Sequence, residues 1–293
     1  MNKIAIAIHG GAGSNSTFIE THYDAYLEGL KEAVQYGHQL LSSGASAVDV
    51  AEATVRILED NPLFNAGKGS ALNSEAEVEM DAAIMDGHLF SAGAVSIVRK
   101  VKNPISLARC VMNTAKHVHL GGYGALKLAE EKGLELMPDD YFVVERQLSD
   151  LRDEKANSHG TVGCVALDVN GHLAAATSTG GISNSMPGRV GDSCMIGAGC
   201  YANSWCASSC TGDGEVIIKH VVAHKVAMLM ELKGLTLQAA CDQTVANADL
   251  PLEGDVGIIS VTKSGDVAFS FNCDRMHRAS IDQTGKLTVG IYD

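Results

Sequence analysis

Gly160 and Thr161 sit at the seam of EKANSHGTVGCVALDVNG, residues 154–171, where a polar run turns abruptly apolar and β-branched. The chemistry open to this pair depends on one bond. If the peptide bond before Thr161 breaks, that residue carries a hydroxyl and a free α-amine together. An α-amine has a pKa of about 7.7–8, so part of it is neutral near physiological pH. It can take the hydroxyl's proton and later return it, a self-contained pair of nucleophile and base. An internal threonine has only an amide nitrogen there, which is no base, so the cut would be the activation step. Glycine before the bond tolerates the unusual conformation that attack on its own carbonyl requires. A Gly-Thr pair at a strand start is also ordinary punctuation, and the pair alone does not decide between the two.

Two later segments add groups. TSTGGISNSMPGRVGDS, residues 177–193, offers Thr179, Arg189 and Asp192. An arginine fork suits a carboxylate and Asp192 suits an ammonium, so together they could read the zwitterionic end of an amino acid. The competing reading is a surface ion pair in a turn, worth under about 1 kcal/mol. SCTGDGE, residues 209–215, supplies Thr211, Gly212 and Gly214. A hydroxyl and a backbone N–H aimed at one point would form an oxyanion hole; the alternative is the first turn of a helix with no chemical duty. The opening IAIHGGAGS has the strand-then-glycine order of a phosphate cradle, but it lacks the third glycine of the dinucleotide fingerprint.

The elements that must position these groups follow from pattern. KIAIAI (3–8) is a short buried strand, ended by HGGAGS. Residues 24–41 space Tyr26, Leu30, Ala33, Val34 and Leu41 at helical intervals, and 46–60 is a second helix with Ser46 and Asp49 at capping-box spacing. Strands follow at 77–87 and 92–98, then a helix from Pro104 to about His119 and another over YGALKLAEEKG, stopped by Gly133. Residues 134–160 are polar and without steady periodicity, with no element expected after YFVVERQLSD. TVGCVALDV and HLAAATSTGG are strands joined by a tight turn at Asn170-Gly171. Residues 215–232 and 236–248 are helices, VGIISVTKSGDVAFSFNC is a hairpin, and KLTVGIY is a last strand. Paired helices and hairpins suit antiparallel sheets covered by helices better than a parallel doubly wound sheet.

Bulk properties narrow the field. The 293 residues carry a formal charge of −13, which argues against a nucleic-acid partner. At 46% hydrophobic and 19% charged the chain reads as soluble and globular. Its opening has five successive apolar residues, fewer than the roughly seven of a secretory core, so a cytoplasmic location is expected. Eight cysteines, without the two-residue gaps of zinc knuckles, are read as reduced structural thiols.

Taken in order, IHGGAG (8–13), PLFNAGKGSALNSEAEVEMDAAIMDG (62–87), AGAVSIVRKVKNPISLAR (92–109), HGTVGCVALD (159–168), TSTGGISNSMPGRVGDS, GAGCYAN (197–203) and SCTGDGE resemble the plant-type asparaginase and isoaspartyl aminopeptidase family of N-terminal nucleophile hydrolases. These blocks span nearly the whole chain except about 134–158.

The resemblance implies an α/β fold of the α+β kind, a four-layer αββα sandwich with mainly antiparallel sheets, spanning 1–293 as one domain. It implies a precursor cleaved by itself between Gly160 and Thr161. An α subunit (1–160, with a linker at about 134–160) and a β subunit (161–293) would stay together, as a dimer of such heterodimers. Thr161 would be nucleophile and base, supported by Thr179; Thr211 and Gly212 would form the oxyanion hole. Arg189 would hold the substrate α-carboxylate, Asp192 and Gly214 its α-amine, and Asn65 would lie near the nucleophile. Substrates would be L-asparagine and isoaspartyl peptides, attacked at the side-chain carbonyl to release aspartate. The main-chain carbonyls of Leu58, Glu59, Asn61, Phe64, Ala66 and Lys68 would wrap a structural sodium ion, and no organic cofactor is implied. Asp213 inside the oxyanion segment, and EGDVGII (253–259) in place of a glycine pair, depart from the family pattern. A glycosylasparaginase, or an uncut binding protein, are the alternatives.

Overall fold

Short runs of small residues, buried on both faces, form the central strands, and 3.6-period stripes form the helices that cover them. A computed structural model describes residues 3–114, 116–152, 160–246 and 253–292. The chain opens with β1 (Ala5–Gly13), a short α1 (Thr17–Thr21), α2 (Tyr23–Ser42) and α3 (Ala47–Asp60). Then come β2 (Met80–Asp86), β3 (Ser91–Val98), α4 (Pro104–Thr114), β4 (His119–Gly121), α5 (Gly122–Glu131) and α6 (Glu145–Arg152). Beyond Thr161 lie β5 (Val162–Leu167), β6 (Leu173–Thr179), β7 (Cys200–Ala202) and β8 (Cys206–Gly212). Helices α7 (Gly214–His220), α8 (Val222–Lys233) and α9 (Leu237–Ala246) follow, then β9 (Val256–Thr262), β10 (Val267–Phe271), β11 (Arg275–Ile281) and β12 (Leu287–Gly290).

The strands form an eight-stranded sheet, ordered β12-β11-β1-β5-β6-β2-β3-β4, and a four-stranded sheet, ordered β10-β9-β8-β7. Neighbouring strands run antiparallel except β3 and β4, which are parallel. Helices α2 to α5 cover the outer face of the larger sheet, and α8 and α9 cover the smaller one. This is the αββα sandwich expected. The face of the larger sheet that meets the smaller one carries Ala5, Ala7, Ala83 and Ala175, against Val256 and Ile258 of β9. Small residues there let the two sheets approach across a thin core. Ile6, Ile8, Val162 and Cys164 point the other way, into the helix layer with Leu30, Val34 and Leu58.

Several boundaries differ from the sequence reading. The first strand runs on through HGGAG, because a bulge between His9 and Ala12 keeps it paired with β11. Helix α4 stops at Thr114, and His119 begins a short strand beside β3. The helix expected over 215–232 breaks at Val221, which is left-handed at φ 48°. The next amides, of Ala223 and His224, are taken by the carbonyls of Ala198 and Gly197 at 3.0 and 2.8 Å. The end of the helix expected over 236–248 lies outside the described residues. The polar stretch 134–160 holds α6, docked by Gln147 donating to the Gly69 carbonyl at 2.7 Å and Arg146 to that of Leu63 at 2.8 Å. At α3 the Ser46 hydroxyl accepts from the Asp49 amide (3.3 Å) and donates to its carboxylate (2.6 Å). Asp168, from the β5–β6 turn, accepts the Ala47 amide at 3.0 Å.

Candidate active site

Thr161 lies one residue before β5, nearly buried at 5% exposure, and its side chain shares the inter-sheet face with Gly163 and Val165. Its hydroxyl donates to Thr179 Oγ1 at 3.3 Å. The Thr179 hydroxyl in turn donates to the Gly160 carbonyl at 2.9 Å and accepts the Gly181 amide at 3.1 Å. Asn65 Nδ2 donates to the same Gly160 carbonyl at 2.8 Å and to that of Gly181 at 2.7 Å, while its Oδ1 accepts the Ala71 amide at 2.7 Å. Two donors therefore converge on the carbonyl of the bond suspected of breaking. A Cβ at Gly160 would stand 2.9 Å from the Asn65 Cβ, so only glycine lets the carbonyl sit there.

The β1 bulge brings the second hydroxyl into place. Gly11, at φ 114°, packs its Cα so closely on Gly160 that a Cβ would be 3.2 Å from the Gly160 Cα and 3.6 Å from the Thr161 nitrogen. The next residue, Ala12, donates its amide to Thr211 Oγ1 at 3.2 Å. That oxygen accepts, which leaves the Thr211 hydroxyl hydrogen for a ligand. The glycines of HGGAG thus serve a strand bulge, and not the strand-to-helix turn of a phosphate cradle. Gly212 sits at φ 129°, where a Cβ would overlap the Asp255 carbonyl. Asp213 turns its carboxylate towards Gly254 and donates its amide to the Asp255 carbonyl at 2.7 Å, so the 253–259 segment abuts the Thr211–Gly212 pair.

Arg189, Asp192 and Gly214 also converge. A Cβ at Gly214 would stand 2.7 Å from Arg189 Nη2 and 3.0 Å from Asp192 Oδ1. Asp192 is buried and its Oδ2 has no hydrogen-bond partner. Burial pushes its carboxyl up to about 7, although Arg189 pulls the other way. Glu215, unassigned from sequence, engages Arg189 bidentately, accepting from Nε at 2.9 Å and Nη2 at 2.8 Å. Asp81 pairs across the sheet with Thr179 and accepts the amides of Gly191 (2.8 Å) and Ile97 (3.0 Å), fixing the loop between Arg189 and Asp192. Burial raises its carboxyl to about 6. Neither acid carried a local sequence signal, because each acts on residues far away in the chain.

The loop 58–68 coils beside these groups. A Cβ at Gly67 would overlap the Glu59 carbonyl, and one at Gly69 the Phe64 carbonyl. The amides of Asn61, Phe64, Ala66 and Gly69 reach the carbonyls of Leu58, Asn61, Phe64 and Ala66 at 3.1–3.3 Å. Four of the six carbonyls named for a cation, those of Leu58, Asn61, Phe64 and Ala66, thus each already accept one amide. The Lys68 ammonium lies over the Tyr141 ring, 5.2 Å from its centroid. Burial raises the Glu59 carboxyl to about 8, against hydrogen bonds from Ser178 and the Ile105 amide. Among the described residues no cluster of three or more His, Cys, Asp or Glu side chains could hold a metal, and no helix is long and apolar enough to cross a membrane.

The family model described as asparaginase matches residues 2–159 and 152–291. The chain is 42% identical over 311 residues to an isoaspartyl peptidase of Escherichia coli (strain K12), covering 100% of this chain and 97% of that one. The chain belongs to the asparaginase family. A probable isoaspartyl peptidase/L-asparaginase 2 of Arabidopsis thaliana is 40% identical to this asparaginase-family chain over 328 residues, with 100% of each covered. An isoaspartyl peptidase/L-asparaginase of Mus musculus is 42% identical over 300 residues, covering 99% of this chain and 91% of that one.

Proposed function

We propose that this asparaginase-family chain is a self-cleaving amidohydrolase, acting on L-asparagine and β-aspartyl peptides with Thr161 as its nucleophile. The observation that carries this is the Gly160 carbonyl, held by Asn65 and Thr179 beside the Thr161 hydroxyl. In the cleavage, Thr161 Oγ bonds to the Gly160 carbonyl carbon and the C–N bond breaks. The hydroxyl proton ends on the released nitrogen, and water then hydrolyses the ester. Asn65 and Thr179 would stabilise the intervening oxyanion. Residues 1–160 and 161–293 would remain folded together, since β1 of one chain lies between β5 and β11 of the other.

In turnover the freed α-amine takes the Thr161 proton as Oγ attacks the substrate's side-chain carbonyl. Thr211 and Gly212 would receive the oxyanion, and the amine returns the proton to the departing ammonia or peptide amine. Water, deprotonated by the same amine, releases aspartate from the β-aspartyl ester. Arg189 would hold the α-carboxylate; Asp192 and the Gly214 backbone would take the α-ammonium. The carbonyls of Leu58, Glu59, Asn61, Phe64, Ala66 and Lys68 would hold a sodium ion that stiffens the loop carrying Asn65. A cytoplasmic dimer of heterodimers is the assembly we infer, and the eight unpaired thiols suit a reducing compartment.

Hydrolysis of L-asparagine and of a β-aspartyl dipeptide, with no action on glycosylated asparagine, tests this reading. The Thr161→Ala protein should stay uncut and inactive, and full activity in it would refute the assignment.

A further inference from the structure

Building on the hydrolase reading, we propose that His9 is a positioning residue that pins the Thr161 backbone through an Nδ1–H tautomer. Thr161 stands outside the sheet ladders: β5 pairs with β1 only as far as His9 opposite Gly163, and with β6 only as far as Val162 opposite Ser178. Its carbonyl is held instead by His9 Nδ1, at 2.9 Å. Once the 160–161 bond is cut, residue 161 loses its covalent anchor on the amine side. The His9 bond then holds the backbone of the residue that must present both amine and hydroxyl.

The proton positions follow from chemistry. A carbonyl only accepts, so Nδ1 carries the hydrogen, and in a neutral ring Nε2 must accept. The Ser209 hydroxyl therefore donates to Nε2 at 2.8 Å. The Thr177 hydroxyl donates to Ser209 Oγ at 2.7 Å. The Gly199 carbonyl, 3.1 Å from Thr177 Oγ1, already accepts the Cys210 amide at 2.9 Å. The ring is fully buried, and that burial lowers its pKa to about 3, so it stays neutral at working pH.

The strand is shaped to admit the ring. A Cβ at Gly163 would overlap both Ser209 Oγ and His9 Nε2. Ser209 lies two residues before Thr211 on β8. His9 thus reaches from beside the strand carrying the oxyanion hydroxyl to the Thr161 carbonyl, and the bond to that carbonyl is the one that positions the nucleophile. A misplacement of about 1 Å at a reacting group costs roughly 100-fold in rate.

Asparagine and glutamine separate the two nitrogens. An Asn amide reaches the place of Nδ1, and a Gln amide the place of Nε2. For the matured enzymes, His9→Gln should lower kcat for L-asparagine about 100-fold with KM within about threefold, and His9→Asn should stay within about tenfold of the parent kcat. The cleavage rate of the precursor should rank the same way. Ser209→Ala, which keeps the ring and its bond to Thr161, should also stay within about tenfold. Equal kcat and equal cleavage rates for His9→Asn and His9→Gln would overturn the proposal, as would a change in KM alone. If the histidine variants do not fold, a 100-fold loss in Ser209→Ala overturns it and retention of activity supports it. An unaltered chain that is uncut and hydrolyses neither substrate would instead defeat the hydrolase reading.

Discussion

Replacing Asp192 by Asn tests the substrate-binding half of the site, and product inhibition by L-aspartate reads it without the chemical step. With its carboxyl raised to about 7 by burial, Asp192 is roughly half ionised at pH 7 in the free protein. At pH 6 the ionised fraction is about 0.1, and at pH 8 about 0.9. A ligand whose ammonium needs the carboxylate binds more weakly in proportion to that fraction. The inhibition constant for aspartate should therefore weaken about fivefold from pH 7 to pH 6 and tighten about twofold from pH 7 to pH 8. In Asp192→Asn the part of the pH dependence that follows this carboxyl should vanish. The constant itself should rise at least about 30-fold, since removing one partner of a buried charge pair costs about 2–5 kcal/mol.

Stability moves the other way. A carboxyl raised in the fold contributes stability below its unfolded pKa, near 4, and loses it as pH rises through about 7. Without ligand, the Asp192→Asn variant should therefore melt higher than the parent at pH 8. An inhibition constant that is flat from pH 6 to pH 8 in the parent would refute the reasoning. So would equal constants in parent and variant.

Two further outcomes follow from the same contacts. Asn65→Ala removes one of two donors on the Gly160 carbonyl; loss of one such donor slows a reaction about 100- to 1,000-fold, so the precursor band should persist correspondingly longer on a denaturing gel. Glu215→Gln loosens the bidentate hold on Arg189, whose partner carboxylate is about half exposed at 55%. A pair so placed is worth about 1 kcal/mol, so KM for L-asparagine should rise about fivefold with kcat unchanged.

Local pattern revealed the elements that carry most of the site, because burial on one face leaves a period in the sequence. The helices around Leu30 and Val55 are of this kind, whereas the hairpin from Val162 to Thr179 is buried on both faces and shows instead as two apolar runs around the Asn170-Gly171 turn. β11 escaped because its polar residues obscure the alternation. Arg275 reaches the Ser14 carbonyl at 3.0 Å, His277 stacks on Tyr26 at 4.4 Å, and Arg278 donates to the carbonyls of Met276, Ile291 and Tyr292. The break at Val221 depends on carbonyls more than twenty residues earlier, which no local window contains. At the site, residue type drew attention to Thr161, Thr179, Arg189, Asp192 and Thr211 without deciding their roles, which came only from the resemblance of the longer blocks. His9, Asp81 and Glu215 were silent. Their parts come from partners such as Ser209, 200 positions from His9, and only the packed sheets bring these together.

The most direct measurement is the intact mass of the purified active protein, followed through maturation. It should resolve into two chains, the second beginning at Thr161 with a free α-amine, and activity should rise in step with its appearance. Full activity in a single continuous 30.7 kDa chain would contradict the account.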